Sequence, residues 1–197
     1  MTGVSSMTAD LGGKWLELLK ETLPEVSRVG VLYSRFAERE SPMMKELKVT
    51  ARSLRVELKP AGVYLFQAPY LNRDRPIGAA FTSLTREQVD AFIVLPGGFE
   101  QNLGYITDLA LKSRLPGIFW REDFAEAGGL IAYGANQTEQ FRRAAYVVDK
   151  VLKGAKPAEL PVELPTQFKL VINLKTAKEI GVTIPPDMLM FADRVIK

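Results

Sequence analysis

The chain has 197 residues and a mass of 21.9 kDa, with 47% hydrophobic and 25% charged residues; this suits one ordinary domain, or one and a piece of another, and excludes disordered, collagenous and coiled-coil proteins. Lys plus Arg number 26 against 23 Asp plus Glu, a net charge of +3, and the basic residues are scattered singly, so no nucleic-acid surface is indicated. With neither Cys nor His, disulfides, thiolate and Ser-His-Asp nucleophiles, Cys and HExxH zinc sites and the commonest general base are all excluded, which leaves Asp, Glu, Lys, Tyr or Ser for any catalysis.

In chain order, Thr8 and Asp10 can cap a first helix whose apolar residues Leu11, Trp15, Leu18 and Leu19 share one stripe until Pro24 stops it. Trp15 on that stripe reads as core. Val29-Gly30-Val31-Leu32-Tyr33 is a short apolar run of the kind covered on both faces of a sheet. Ser41-Pro42 opens a second helix lined by Met43, Leu47, Ala51 and Leu54, and Val56 and Leu58 begin a second strand. Residues 62–76 read as a long connection, broken by Pro69 and by Asn72-Arg73-Asp74-Arg75.

Ile77, Phe81 and Leu84 predict a short helix, and Val89 to Leu95 is the strongest buried-strand signal, ended by Pro96-Gly97-Gly98. Leu103, Ile106 and Ala110 make the next helical face. Pro116 to Trp120 predicts a fourth strand, Arg121 to Ala127 a short helix, and Leu130 to Tyr133 a fifth strand. Such alternation predicts right-handed crossovers and a Rossmann-like parallel sheet with helices on both faces, an α/β fold. Beyond Tyr133 the pattern changes: a long amphipathic helix carries Phe141, Ala145, Val148 and Leu152, and Pro157, Pro161 and Pro165 space out an extended connection. Phe168 to Asn173 predicts a further strand, Leu174 to Ile180 a helix closed by Gly181, and Ile184-Pro185-Pro186 leads into a short tail. This last third has too few elements for a core of its own. The N-terminus has no basic and apolar leader pattern, which predicts no export signal in the chain as it stands, and no window approaches the roughly 18 apolar residues of a membrane span.

Three stretches, TGVSSMTADLGGKWLELLKE at Thr2 to Glu21, REDFAEAGGLIAYGANQTEQFRRAA at Arg121 to Ala145 and VDKVLKGAKPAELPVELPTQFKLVINLKTAKEIGVTIPP at Val148 to Pro186, resemble the substrate-binding proteins of bacterial ABC importers with the type I periplasmic binding protein fold, in the branch associated with aromatic amino acid uptake. VINLKTAKEIG after a Pro-spaced linker is the most specific of these matches. The resemblance implies that residues 1–133 form the second lobe of such a protein, and that residues 134–197 cross back to complete a first lobe that, with its signal peptide, would precede this chain. Residues 62–76 depart from the pattern by their length. The resemblance further implies a small organic ligand, such as an amino acid, held between two lobes and presented to a membrane permease, outside the cytoplasm, without catalysis, cofactor, metal or nucleic acid. The effector domain of a transcription regulator shares this fold and is the first alternative; a Rossmann-like enzyme using Asp, Glu or Lys is the second.

Open parallel sheets bind ligands beyond the carboxyl ends of their strands. This rule selects Ser34 and Arg35 after the first strand, Gly97, Gly98 and Phe99 after the third, Trp120 and Arg121 after the fourth, and Tyr133 and Asn136 after the fifth. For an amino acid, Ser34 and the Gly97-Gly98 amides could donate hydrogen bonds and Phe99, Trp120 and Tyr133 could form apolar walls. Ser34 and Arg35 read equally as a solvated turn, and the two glycines as turn formers. Glu122, Asp123 and Glu126 read as a solvated helix face.

Overall fold

A computed structural model describes residues 2–6, 11–35, 41–65 and 74–197 of the chain. The proposed caps Thr8 and Asp10, and Pro69 and Asn72-Arg73 of the long connection, lie outside the described residues. A two-residue strand, β1 (Gly3–Val4), is followed by α1 (Leu11–Thr22), β2 (Arg28–Ser34), α2 (Pro42–Leu54), β3 (Glu57–Val63), α3 (Asp74–Arg86) and β4 (Ala91–Val94). Then come α4 (Leu103–Lys112), β5 (Gly117–Phe119), α5 (Glu122–Glu126), β6 (Ile131–Ala135) and α6 (Gln137–Leu152). The chain ends with β7 (Val162–Glu163), β8 (Phe168–Asn173), α7 (Leu174–Ile180), α8 (Pro186–Phe191) and β9 (Arg194–Ile196).

Seven strands form one sheet in the order β3-β2-β4-β5-β6-β8-β9. The pairings from β3 to β6 are all parallel, as the alternation of helix and strand requires. Pro60 sits in β3, an edge strand, where a residue without an N–H is tolerated. Strand alternation assigns the helices to faces: a Cβ on Gly30 would strike Leu84 of α3, whereas the adjacent Val31 faces Met44 and Ala51 of α2.

The strand from Phe168 to Asn173 joins this same sheet. It pairs antiparallel with β6, Ala135 opposite Phe168 and Ile131 opposite Ile172, and buries Leu170, Val171 and Ile172. Connectivity sets its direction: the chain leaves β6 at its carboxyl end and returns at that same end, so the returning strand must run the opposite way. The segment read as a short tail adds α8 and then β9, which pairs parallel with β8. Asp193 fixes the junction by accepting the Leu170 N–H at 2.7 Å. Gly181 closes α7 in the left-handed conformation, φ 79°, as a C-terminal glycine does.

The core is an aromatic chain running across the sheet. Phe81 meets Phe92 edge-on at 5.1 Å, Phe92 meets Phe119 at 5.7 Å, and Phe119 stacks on Phe124 at 4.8 Å. Each such pair contributes about 0.5–1.5 kcal/mol beyond burial. Trp15 is fully buried, and its indole N–H donates to the Tyr133 carbonyl at 2.7 Å, which ties α1 to β6. By contrast α6 buries only Val147, while Phe141 and Leu152 are 74% and 81% exposed. It packs beside the small parallel pair of β1 and β7, where Gly3 lies opposite Val162.

The start of β2 is fastened by Asp90. Burial works against ionisation of its carboxyl, but hydrogen bonds from the Ser27 and Arg28 N–H groups, both 2.8 Å, and from the Ser27 hydroxyl, 3.0 Å, outweigh it and hold its pKa below the usual carboxylate range. A carboxyl whose pKa is depressed on folding stabilises the native state above its unfolded value of about 3.9 and loses that contribution as pH falls through the native value. Asp90→Asn is therefore expected to unfold at lower urea than the parent at pH 7, with the gap closing in acid. A gap of constant size down to the acid limit would show that the charge plays no part.

Candidate functional site

Strand order reverses direction between β2 and β4: the chain passes from β2 to β3 on one side and crosses back to β4 on the other. Loops diverge there and leave a crevice at the carboxyl ends, the place where open α/β sheets bind ligands. Tyr33, Ser34, Met43, Met44 and Pro96 enclose a cavity of about 30 Å³ at this point, room for one small polar group. Ser34 is 1% exposed, and its hydroxyl oxygen has no hydrogen-bond partner among the described residues. A buried hydroxyl left unpaired costs on the order of 1–3 kcal/mol, which a ligand or a water would recover. The adjoining α2 opens with Pro42 and has neither a side-chain cap on Ser41 nor an acidic residue in its first turn. Pro42 has no N–H and the Met44 and Lys45 N–H groups donate to the Ser41 carbonyl at 3.0 and 3.2 Å, so it is the dipole of the helix that favours a negative group at the crevice.

Gly97 and Gly98 follow β4 on the same side of the switch with φ of 149° and 99°. The second value lies where L side chains are strained by about 1–3 kcal/mol. Gly98→Val is accordingly expected to lose about that much stability, read as a lower urea midpoint at unchanged slope. A midpoint equal to the parent's would show that the turn relaxes.

The remaining candidate residues are dispersed. Phe99, expected as an apolar wall, is fully buried in the core, and its backbone leads into a 3₁₀ turn, Glu100–Asn102. Trp120 is also buried, its ring packed at 4.7 Å against Phe124. Arg121 forms an ion pair with Asp123 at the start of α5. Glu122 and Glu126, read as a solvated face, reach Lys169 and Arg194 across the sheet edge.

Asn136 caps α6, its side chain accepting the Glu139 N–H at 3.4 Å and its own N–H donating to Gln167 at 3.0 Å. It lines a wide cavity of about 640 Å³ with Gln140, Arg143 and Glu163. The Arg143 guanidinium donates to both Glu163 oxygens at 2.7 and 2.8 Å, which lowers the carboxyl pKa and raises that of the guanidinium. Tyr133 lies within β6 instead of beyond its end, and turns toward α1, where it lines a separate groove of about 420 Å³. Ser34 and the Gly97-Gly98 turn therefore follow the neighbouring strands β2 and β4 at the switch point, while Asn136 lies beside α6 and Tyr133 in a separate groove.

Sequence reasoning did not single out Ser41, Met43 and Met44, which line the cavity at the switch point or its rim, although Ser41-Pro42 already marks a helix opening. Among the described residues no group of Asp or Glu side chains is arranged to hold a metal ion, and no helix is long and apolar enough to cross a membrane.

A family model described as ABC transporter substrate binding protein matches residues 1–196. No curated protein matches the chain. Among solved structures, the chain is similar to a conserved domain protein from Vibrio cholerae O1 biovar El Tor, with a TM-score of 0.85 and 23% identity over 98% of this chain and 62% of that one. It is similar to an ABC domain in complex with L-Trp from Streptococcus pneumonia, with a TM-score of 0.81 and 28% identity over 99% and 64% of the two chains. A ligand-free, open substrate binding protein with adhesive properties from Clostridium difficile gives a TM-score of 0.69 and 20% identity over 100% and 62%. The chain thus spans 62–64% of the length of these structures.

Proposed function

The chain belongs to the ABC transporter substrate binding protein family, and on that premise we propose that it forms one wall of a two-lobed clamp. The clamp closes on a small organic ligand, an aromatic amino acid by preference, and offers the closed form to the membrane permease of an importer outside the cytoplasm. The observation that carries this reading is the unpartnered, buried Ser34 hydroxyl at the β2–β4 switch, beside the uncapped start of α2. A ligand carboxylate would accept from the Ser34 hydroxyl and be favoured by the positive end of the helix dipole. The L-Trp complex of a 28% identical structure supports the ligand class. The bare apolar face of α6 supports a second lobe. Function on this reading is a shift of population toward the closed form, with no bond made or broken.

The test is titration calorimetry of the two-lobed protein with the standard amino acids. Aromatic amino acids are expected to bind in the micromolar range, and Ser34→Ala to weaken them about tenfold, the loss of one hydrogen bond to a charged group. Binding of no amino acid, or affinity unchanged by Ser34→Ala, would overturn the reading.

A further inference from the structure

The groove into which Tyr133 turns lies between α1 and α8, over β6 and β8, and shares no lining residue with the cavity at the strand switch. Its volume, about 420 Å³, is in the range of small-molecule sites. The Tyr133 and Phe168 rings are stacked, their centroids 5.8 Å apart and their planes at 20°, and both line the groove; Phe191 stands at the rim, 76% exposed. The charged groups are Glu21 and Asp193 against Lys14, a balance of one negative charge. Lys14 is already engaged, its ammonium 3.4 Å from Glu17 and 3.9 Å from Glu21. Arg194, the other cation beside Asp193 in sequence, reaches away to Glu126 at 2.5 Å. The Asp193 carboxylate is held in place by the Leu170 N–H.

We propose that this groove is a second binding site, which takes an organic cation with an apolar body, an alkyl- or arylammonium ion. Aromatic faces attract a cation through their quadrupole, the more so when it is desolvated. Asp193 and Glu21 supply the opposite charge, and the apolar floor at Met188 and Leu18 accepts the hydrocarbon part. An anion of the same shape would meet the carboxylates and the negative ring faces, and is excluded. The groove's chemistry is independent of a ligand between two lobes, so the site and the proposed transport function can fail separately.

The test uses this chain, isotopically labelled, with phenethylammonium, phenylacetate and 2-phenylethanol as probes, following the amide signals of Phe168, Leu170 and Asp193. Phenethylammonium is expected to shift them saturably at millimolar concentration, and the anion and the alcohol to bind about fivefold more weakly or worse. Phe168→Ala and Asp193→Asn should each weaken the ammonium about fivefold. Because Asp193 also fastens β8, Glu21→Gln at an exposed position of α1 is the control that leaves the fold intact, and about a twofold weakening is expected from it. No saturable shift, equal binding of phenylacetate, a response indifferent to Phe168→Ala, or unchanged affinity in Glu21→Gln would each overturn the proposal.

Discussion

Gly134→Ala is expected to destabilise the protein by about 3 kcal/mol or more, the upper range for an overpacked site. A Cβ at position 134 would lie 1.9 Å from the carbonyl oxygen of Trp120 and 2.9 Å from its carbonyl carbon. Both are backbone atoms, so no side chain can rotate aside; β5 and β6 would have to part at their carboxyl ends. For a chain of this size the loss corresponds to a melting point lower by about 6–12 °C. Gly104→Ala in α4 is the contrasting variant, since a Cβ there meets nothing within 4 Å. It should be neutral or gain up to about 1 kcal/mol from helix propensity. A Gly134→Ala protein melting within about 2 °C of the parent would show that the close approach of the two strands is not needed.

This chain on its own is expected to bind an amino acid about a thousandfold more weakly than a two-lobed form extended upstream. Sites of this kind bury about 70–90% of the ligand, and a clamp divides the contacts between its walls. If the clamp binds at micromolar concentration, about −8 kcal/mol, one wall contributing half yields about −4 kcal/mol, near millimolar. The same comparison bears on α6, whose exposed Phe141, Val148 and Leu152 should drive self-association of the shorter form. Calorimetry and light scattering on the two forms decide both. A monodisperse monomer of these 197 residues binding at micromolar concentration would refute the two-lobe reading.

How far the sequence could be read depends on what apolar patterns encode. The apolar runs around Val31 and Ile93 and the helical stripe through Trp15 located the central strands and the first helix, and strand order then placed Ser34 and Gly97-Gly98 at the switch point. An apolar run states that a strand is buried, not which way it runs. The antiparallel β8 was therefore not legible in Phe168 to Asn173, nor were α8 and β9 in a six- and a three-residue segment after two prolines. Aromatic residues at strand ends are equally ambiguous, since Phe99 and Trp120 read alike whether their rings turn inward or out. The end of β6 was read at Tyr133 whereas the strand continues to Ala135, and a strand end shifted by two residues puts a different side chain at the rim. The uncapped start of α2 matters only once Ser34 is seen beside it, which is a fact of three dimensions.

The antiparallel position of β8 has a consequence for biosynthesis. On the ribosome β6 is made well before the strand that seals its outer edge, because about 30 residues separate Ala135 from Phe168, which takes roughly 2–6 s at ordinary translation speed. During that interval the strand Ile131–Ala135 shows an open row of N–H and C=O groups next to newly formed apolar surface, a template for pairing with any other extended chain. The most hazardous interval in the making of this protein is thus the one in which residues 136–167 are added, and messages translated slowly through those codons should yield more aggregate than those translated quickly there.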